Sequence, residues 1–342
     1  MQYSPSFDLL FAAGGLAKNP HFDRSRFSFQ EVSCSPLLSR NPLKSLKGAL
    51  HLLQGVKEAI ALLKRHRPHV VVGFGSYYTV ATLLAAAWLK IPIILHEANS
   101  IPGQANRWLA PLATFIALHF PSAASFFRGK TVEVGLPLRQ GYSLKAVSKE
   151  AALAYYGLSS ERHTLLICGG SQGARAINEW VERSLPLLKT LSLQVIHLTG
   201  EGERKEALSA QYVAHQIPAS VKRFENHMQM AWRAADAFLG RSGASTIAES
   251  IEFEVPGILI PYPYATDRHQ EKNADFLVHT VGSAWKILEC ELTPERLENA
   301  IESLFRPIYY HSFKTGLKKY KERPNALTLC QLVVNTLGGI DS

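Results

Sequence analysis

Short apolar runs rich in β-branched residues alternate along this chain with segments whose apolar positions recur at helical spacing. That alternation predicts repeated βα units wound around parallel sheets. In the first half, His69–Gly75 reads as a buried strand running into a glycine turn, Thr79–Leu89 as a helix, and Ile91–His96 and Thr114–Leu118 as further strands. In the second half, Thr164–Cys168 runs into Gly169 and Gly170, and Leu193–Leu198 into Thr199 and Gly200. Ala237–Gly240 and Gly257–Pro261 repeat the pattern. The segment Gly135–Lys149, with Pro137 and scattered polar residues, reads as a linker and divides the chain into domains at 1–136 and 137–325. The expected fold class is α/β, with two doubly wound, Rossmann-like domains of similar size.

Two segments complicate this picture. Ser6–Gly15 reads as a strand ending in a glycine turn. A doubly wound domain normally opens with a strand, a phosphate-cradling glycine loop and a helix, and no such unit precedes this one. The first βα unit is therefore expected to be missing. Further on, Leu46, Ala49, Leu50, Leu53, Ile60 and Leu63 fall at helical spacing with Lys44, Lys47, Lys57 and Lys64 between them, a basic amphipathic helix. Its apolar stripe either packs on its own sheet or, with Pro36–Leu38 and Pro42–Leu43 in a loop ahead of it, meets an anionic bilayer.

Composition narrows the classes. At 342 residues, 46% hydrophobic and 19% charged, the chain has apolar mass for two cores and too little charge for disorder. The uncharged apolar stretch Tyr77–Leu89 is 13 residues, short of the roughly 18–20 that a spanning helix needs. No basic-then-apolar start suggests a secretory signal. Cys34, Cys168, Cys290 and Cys330 form no CxxC pair, which argues against a disulfide framework or a zinc site and fits a reducing cytosol. No metal or other cofactor is expected. The net charge of +9 is uneven: Leu37–His69 carries seven basic residues and one acid, and Arg306–Arg323 six and one. Two basic patches on an otherwise nearly neutral protein suggest an anionic partner or two solvated helix faces. Aromatic and basic residues do not interleave as in nucleic-acid binders, and no nucleic-acid partner is expected.

The chemistry-bearing segments lie where strands end. Cys168–Asn178 follows a strand and opens a helix, so its glycines and Ser171 could bring N–H and hydroxyl donors to a pyrophosphate, or simply form a tight turn. Arg241–Glu249 repeats that logic, with Ala244, Ser245 and Thr246 at the helix start and Glu249 one turn in. Glu249 could accept hydrogen bonds from ribose hydroxyls or serve only the helix dipole. In Pro261–Ala274, Asp267, Gln270 and Asn273 recur every third residue and are expected to share one helical face suited to a sugar. In the first half, Gly73–Tyr78 and His96–Arg107 sit at carboxyl ends of strands. His96 could equally be a core histidine and Asn99 a turn former. Five polar loops on facing rims suggest a cleft between the domains.

Read in order, GGSQGARAIN, RSGASTIAE, ATDRHQEKNA and HEANSIPGQANRWLA resemble the MurG family from about Asp8 to the carboxyl terminus. That family comprises the N-acetylglucosaminyltransferases of peptidoglycan synthesis, in the glycosyltransferase B fold. The resemblance implies transfer of N-acetylglucosamine from UDP-N-acetylglucosamine to lipid I, forming lipid II. It places the protein as a peripheral enzyme on the cytoplasmic face of the bacterial inner membrane, with an anionic membrane surface and other cell-wall synthesis proteins as partners. It also implies that 326–342 forms a helix packing back on the first domain. By the same resemblance, Ser171 meets the donor diphosphate, Arg139 lies near the nucleotide, and Ala244, Ser245, Thr246 and Glu249 form the ribose–phosphate loop. Gln270 with Asn273 would hold the amino sugar, Glu225 would meet uracil through its backbone, and Asn99 would face the acceptor. Three departures stand out. Leu136–Arg139 reads Leu-Pro-Leu-Arg where Asn-Pro-Val-Arg is usual, and Ala98 stands where Gln is usual. The amino-terminal Gly-Gly-Thr-Gly-Gly-His loop, its strand and its helix are not found, roughly thirty residues of a doubly wound domain.

The implied reaction is a metal-independent inverting displacement with charge on the leaving diphosphate met by helix-start donors. A base is required for the attacking hydroxyl, and His96 is the candidate on that rim. An alternative reading is a UDP-sugar-binding protein of the same fold, inactive for want of the amino-terminal glycine loop. An incomplete sheet would also leave strand edges exposed and lower stability.

Overall fold

A computed structural model describes residues 7–19, 22–35, 42–170, 174–201, 204–323 and 327–338, with side chains at 42–46 and 204 not described. The chain forms two compact units, Met1–Gly135 with Ala326–Ser342, and Leu136–Asn325.

In the first unit, β1 (Leu10–Ala12) and β2 (Ser28–Gln30) make a parallel pair, and β3 (Val71–Gly73), β4 (Ile93–Glu97), β5 (Phe115–Leu118) and β6 (Thr131–Glu133) make a parallel sheet in that order. Among the described residues, β1 and β3 therefore each have a strand neighbour on one side only. Helix α1 (Pro42–His66) begins at Pro42, which sequence reading had left in a loop; proline suits a first helical position because its missing N–H would be unpaired there anyway. Leu52, Val56, Ala59, Ile60, Leu62 and Leu63 turn toward the core. Leu50 and Leu53 do not, at 58% and 60% exposed. The inward line runs through 52, 56, 59 and 63 and takes in the expected Ile60 and Leu63, whereas the expected Leu50 and Leu53 fall off it; the side chain of Leu46 lies outside those described. Helix α2 (Val80–Trp88) is apolar nearly all round and is buried accordingly, and α3 (Gln104–Leu109) follows the β4 loop. The carboxyl-terminal helix Leu329–Gly338 sets Leu329 and Leu332 against Ile94, Ala117 and Val134 of this unit.

The second unit holds β7 (Thr164–Cys168), β8 (Gln194–Leu198), β9 (Ala219–Lys222), β10 (Ala237–Gly240), β11 (Gly257–Leu259) and β12 (Ala284–Lys286). All are parallel, in the order β12-β11-β10-β7-β8-β9. Counted within the unit this is the 3-2-1-4-5-6 arrangement, whose order reverses between its first and fourth strands, β7 and β10. Around the sheet lie α4 (Lys149–Tyr156), α5 (Arg175–Arg183), α6 (Leu185–Thr190), α7 (Arg204–Ala214), α8 (Met228–Ala234), α9 (Ala244–Phe253), α10 (His269–Asp275), α11 (Pro294–Phe305) and α12 (Pro307–Lys321). Local chemistry sets their ends. Ser148 caps α4 by accepting from Ala151 N–H, and Gly157 closes it at φ 66°; Thr293 caps α11 ahead of Pro294. Leu165, Ile167, Val195, Leu239 and Ile258 of the sheet pack against Ile177, Leu188, Leu297 and Ile301 of the helices. Each such side chain contributes about 1.5–3 kcal/mol on burial, and Ile167→Ala would cost about 2–5 kcal/mol.

Candidate functional site

In open α/β sheets, ligands bind outside the carboxyl ends of strands where the order reverses. In the second unit that point lies between the turns leaving β7 and β10. The two strands approach closely there: a Cβ on Gly240 would lie 2.4 Å from the Cys168 carbonyl oxygen, so only glycine fits. The β7 turn continues through Gly170, at φ +87°, toward α5. Ser171, Gln172 and Gly173 lie outside the described residues.

The β10 turn leads into α9 through Gly243, whose extended backbone starts the helix with no side chain capping it. First-turn N–H groups of Ala244, Ser245 and Thr246 are thus not taken by a capping side chain. The loop is held from behind. Buried Arg241 donates to the carbonyls of Ile260 and Pro261, both at 3.1 Å, and pairs with Glu289 at 2.6 Å. Ser242 Oγ donates to the Gln270 carbonyl at 2.7 Å, Asn273 Nδ2 donates to the Ser242 carbonyl at 3.2 Å, and Gln270 Oε1 accepts from Tyr262 N–H at 3.1 Å. Three loops are therefore cross-braced. Asn273 is fully buried in that brace, whereas Gln270 is half-buried. Asp267 does not share their helical face: it precedes α10 at φ 52°, in a left-handed turn that breaks the three-residue period.

Glu249 sits one turn into α9, where Trp232 Nε1 donates to its Oε2 at 2.5 Å. Burial pushes its carboxyl up to about 7, against the opposing pull of the Trp232 N–H and the Arg139 charge. Arg139 is exposed, beside Tyr142 and Glu249. Glu225 is buried with its carboxylate turned inward, accepting from Lys222 Nζ at 2.7 Å, Tyr156 hydroxyl at 3.0 Å and His227 N–H at 2.8 Å. Burial opposes its ionisation, but those donors and the lysine charge prevail and hold its pKa below the usual glutamate value. Lys222 in turn lies 4.4 Å and 4.8 Å from the ring centres of Tyr155 and Tyr156.

The first unit builds its rim differently. Buried Glu97, at the end of β4, accepts from Asn99 N–H at 2.9 Å, Gly103 N–H at 3.0 Å and Asn106 Nδ2 at 2.9 Å. It folds the loop that carries half-buried Asn99. Gly75, at φ +81°, lets the β3 turn approach Asn106: a Cβ there would lie 3.1 Å from Asn106 Nδ2. His96 is 2% exposed, 5.4 Å from the Phe74 ring centre, and burial lowers its pKa to about 4. Among the described residues, its Nε2 and Asn106 Oδ1 are buried without a hydrogen-bond partner.

Sequence reading missed Glu97, Trp232, Arg241 and Ser242 as organising residues. Glu97, Arg241 and Ser242 lie inside the loops singled out, and a charged residue at the carboxyl end of a strand was the available signal for Glu97 and Arg241. Trp232 had none, because it reaches Glu249 only through the packing of α8 on α9. Among the described residues no group of acidic, histidine or cysteine side chains could hold a metal ion, and no helix is long and apolar enough to cross a membrane.

Comparison with known proteins agrees with this geometry. Residues 7–118 match the glycosyltransferase family 28 N-terminal domain and residues 164–323 its C-terminal domain. The chain is 54% identical over 331 residues to the UDP-N-acetylglucosamine--N-acetylmuramyl-(pentapeptide) pyrophosphoryl-undecaprenol N-acetylglucosamine transferase of Protochlamydia amoebophila, covering 97% of this chain and 88% of the relative. It is 31% identical over 311 residues to the transferase of the same name from Chlamydia muridarum, covering 90% and 85%. The crystal structure of Acinetobacter baumannii MurG superposes with a TM-score of 0.71 at 24% identity, covering 96% and 98%, which supports the glycosyltransferase B fold.

Proposed function

The chain belongs to glycosyltransferase family 28, and from that premise we propose that it transfers N-acetylglucosamine from UDP-N-acetylglucosamine to undecaprenyl-pyrophosphoryl-N-acetylmuramyl-pentapeptide, turning lipid I into lipid II. The observation that carries this reading is 54% identity, sustained over 97% of the chain, to a transferase whose name gives that donor and acceptor.

In this reading the acceptor sugar's 4-hydroxyl attacks the anomeric carbon and gives up its proton to water, the bond to the diphosphate oxygen breaks, and UDP leaves with inversion. Negative charge growing on the diphosphate is met by the uncapped N–H groups of Ala244, Ser245 and Thr246, with Ser171 as hydroxyl donor at the other turn. Such donors are fixed before the reaction and need no reorganisation during it. Glu249 accepts from the ribose hydroxyls, and Arg139 beside it favours the ionised form that does so best. Gln270 meets the amino sugar, while Asn273 holds the loop behind it. Glu225, its carboxylate occupied by Lys222, Tyr156 and His227, leaves its backbone to uracil. Asn99 faces the acceptor from the loop that Glu97 folds. His96 is neutral at physiological pH, but burial makes it a weak base; in this reading it lines the rim and is not given the proton.

The enzyme is read as peripheral on the cytoplasmic membrane face. Supporting this, α1 turns Leu50 and Leu53 outward with exposed Lys47, Lys57, Lys64 and Arg65 on the same helix. Each basic side chain near an anionic surface contributes about 1 kcal/mol. The reaction is tested by following UDP release from UDP-N-acetylglucosamine with and without a lipid I analogue. Release that requires the analogue is expected; release at the same rate without it contradicts the reading.

A further inference from the structure

Three polar side chains of the second unit lie deep in its core, away from the rim. Asn178 on α5, His197 on β8 and Tyr212 on α7 are 3%, 0% and 1% exposed. Burying such groups costs free energy unless each is hydrogen-bonded, and an apolar trio of similar volume would pack there without that demand. Their bonding is complete. Asn178 Nδ2 donates to the Thr199 carbonyl at 3.0 Å, which fixes the orientation of the amide and leaves Oδ1 as acceptor toward His197 Nε2 at 3.0 Å. An acceptor there requires the proton on Nε2 of the neutral ring, so Nδ1 carries a lone pair and accepts a hydrogen bond from the Tyr212 hydroxyl at 2.9 Å. The chain of donation runs in one direction, Tyr212 to His197 to Asn178 to Thr199.

The last two members of that chain, Asn178 and Thr199, touch elements of the candidate donor site. Asn178 makes the first turn of α5, its N–H donating to the Ala174 carbonyl at 3.0 Å, so the place where its amide is held sets the direction in which α5 begins. Thr199 N–H donates to the Lys222 carbonyl at 2.9 Å and Gly200 N–H to the Arg223 carbonyl at 3.0 Å. Lys222 is the residue that binds Glu225. The start of α5 and the Lys222–His227 loop, otherwise remote in sequence, are thus tied by the Asn178–Thr199 bond, and His197 holds the Asn178 amide that makes it.

We propose that His197 is a positioning residue for the nucleotide: through Asn178 and Thr199 it holds the helix start assigned to the diphosphate and the loop assigned to the base in one preformed arrangement. This rests on the donor-binding reading above. The ring does not touch the ligand. Its two nitrogens hold the geometry only in one tautomer, which the Asn178 Oδ1 acceptor selects and the Tyr212 hydroxyl supports by donating to Nδ1. Without the hydroxyl, Nδ1 is left buried and unpaired, and the ring loses the bond that holds it in line with Asn178.

The test measures UDP binding by calorimetry, together with thermal melting and steady-state kinetics of the full chain. Tyr212→Phe is expected to raise the UDP Kd and the KM for UDP-N-acetylglucosamine by about fivefold, as one lost buried hydrogen bond does. The turnover number at saturating donor and the KM for the lipid I analogue should change less than twofold. His197→Leu should weaken UDP binding further. His197→Gln, whose amide can donate to Asn178 and whose carbonyl can accept from Tyr212, should restore it to within twofold of the parent. If His197→Leu does not fold, Tyr212→Phe and His197→Gln still decide the matter. Variants that melt earlier yet bind UDP as the parent does would overturn the proposal and leave the trio a packing feature. A parent chain that fails to bind UDP would overturn the donor reading and this inference with it.

Discussion

At the rim of the Leu136–Asn325 unit, Arg241, Ser242, Gln270 and Asn273 brace three loops through one another. At the rim of the other unit, the one carboxylate of Glu97 gathers the loop that carries Asn99. The first rim stands at the order reversal of an unbroken six-stranded sheet. The second belongs to a unit whose strands are divided into a pair and a four-stranded sheet, with His96 Nε2 and Asn106 Oδ1 buried and unpartnered among the described residues. The lesson is that two rims of the same βα design can reach order by different routes. One distributes it over bonds made by Arg241, Ser242, Gln270 and Asn273; the other concentrates it in the carboxylate of Glu97.

That contrast breaks most visibly at Glu97. Glu97→Ala strands three donors in a buried place, each worth about 1–3 kcal/mol unsatisfied, so a loss of about 4 kcal/mol in urea unfolding is expected after water takes up part of the demand. UDP binding to the folded variant should stay within twofold of the parent, because the donor-side braces lie in the other unit. Equal loss of UDP binding would show that the two rims do not hold their order separately.

A somewhat smaller effect belongs to Glu249. Its carboxyl is raised from 4.5 to about 7 by burial. A raised acid contributes stability that is fully present below its unfolded value and is lost as pH rises through the folded one. Stability should therefore fall by about 3 kcal/mol from pH 4.5 to pH 7 on account of this group. Glu249→Gln, which cannot ionise, should flatten that part of the pH profile. An unchanged slope in the variant would place the pH dependence elsewhere.

The basic helix of the first unit gives the smallest of these effects. Replacing Leu50 and Leu53 by serine removes exposed apolar surface without touching the inward line at 52, 56, 59 and 63. Binding to vesicles of phosphatidylglycerol should weaken about tenfold, from two leucine side chains partly withdrawn from the bilayer. Donor turnover in detergent should be unaltered. Unchanged vesicle binding would remove α1 as the membrane-facing element and leave that role to the second basic segment, Arg306–Arg323.

Much of the second unit is legible in the sequence because its central strands are continuous apolar runs that stop at glycine. Thr164–Cys168 and Ala237–Gly240 are buried on both faces and carry no polar interruption. β9 and β12 carry no such signal: Ala219–Lys222 and Ala284–Lys286 are short, mixed segments fixed by the neighbour they pair with. The outward turn of Leu50 and Leu53 was hidden for a related reason, since an amphipathic helix offers two overlapping apolar lines and only its contacts choose between them. Asp267 misled because a period of three persists across a left-handed turn that is not helix. Loop residues that could meet a ligand were visible as polar segments after strands. The residues that hold those loops were not, because Trp232 and Glu249, or Ser242 and Asn273, meet only after folding.

The central claim is that this chain joins the amino sugar of UDP-N-acetylglucosamine to a lipid-linked muramyl acceptor by inversion. Proton NMR of the product made from UDP-N-acetylglucosamine and a lipid I analogue tests it most directly. The account predicts a single disaccharide with a β-linked N-acetylglucosamine at the 4-position, formed in step with UDP. An α-linked product, or UDP formed with no disaccharide, would contradict it.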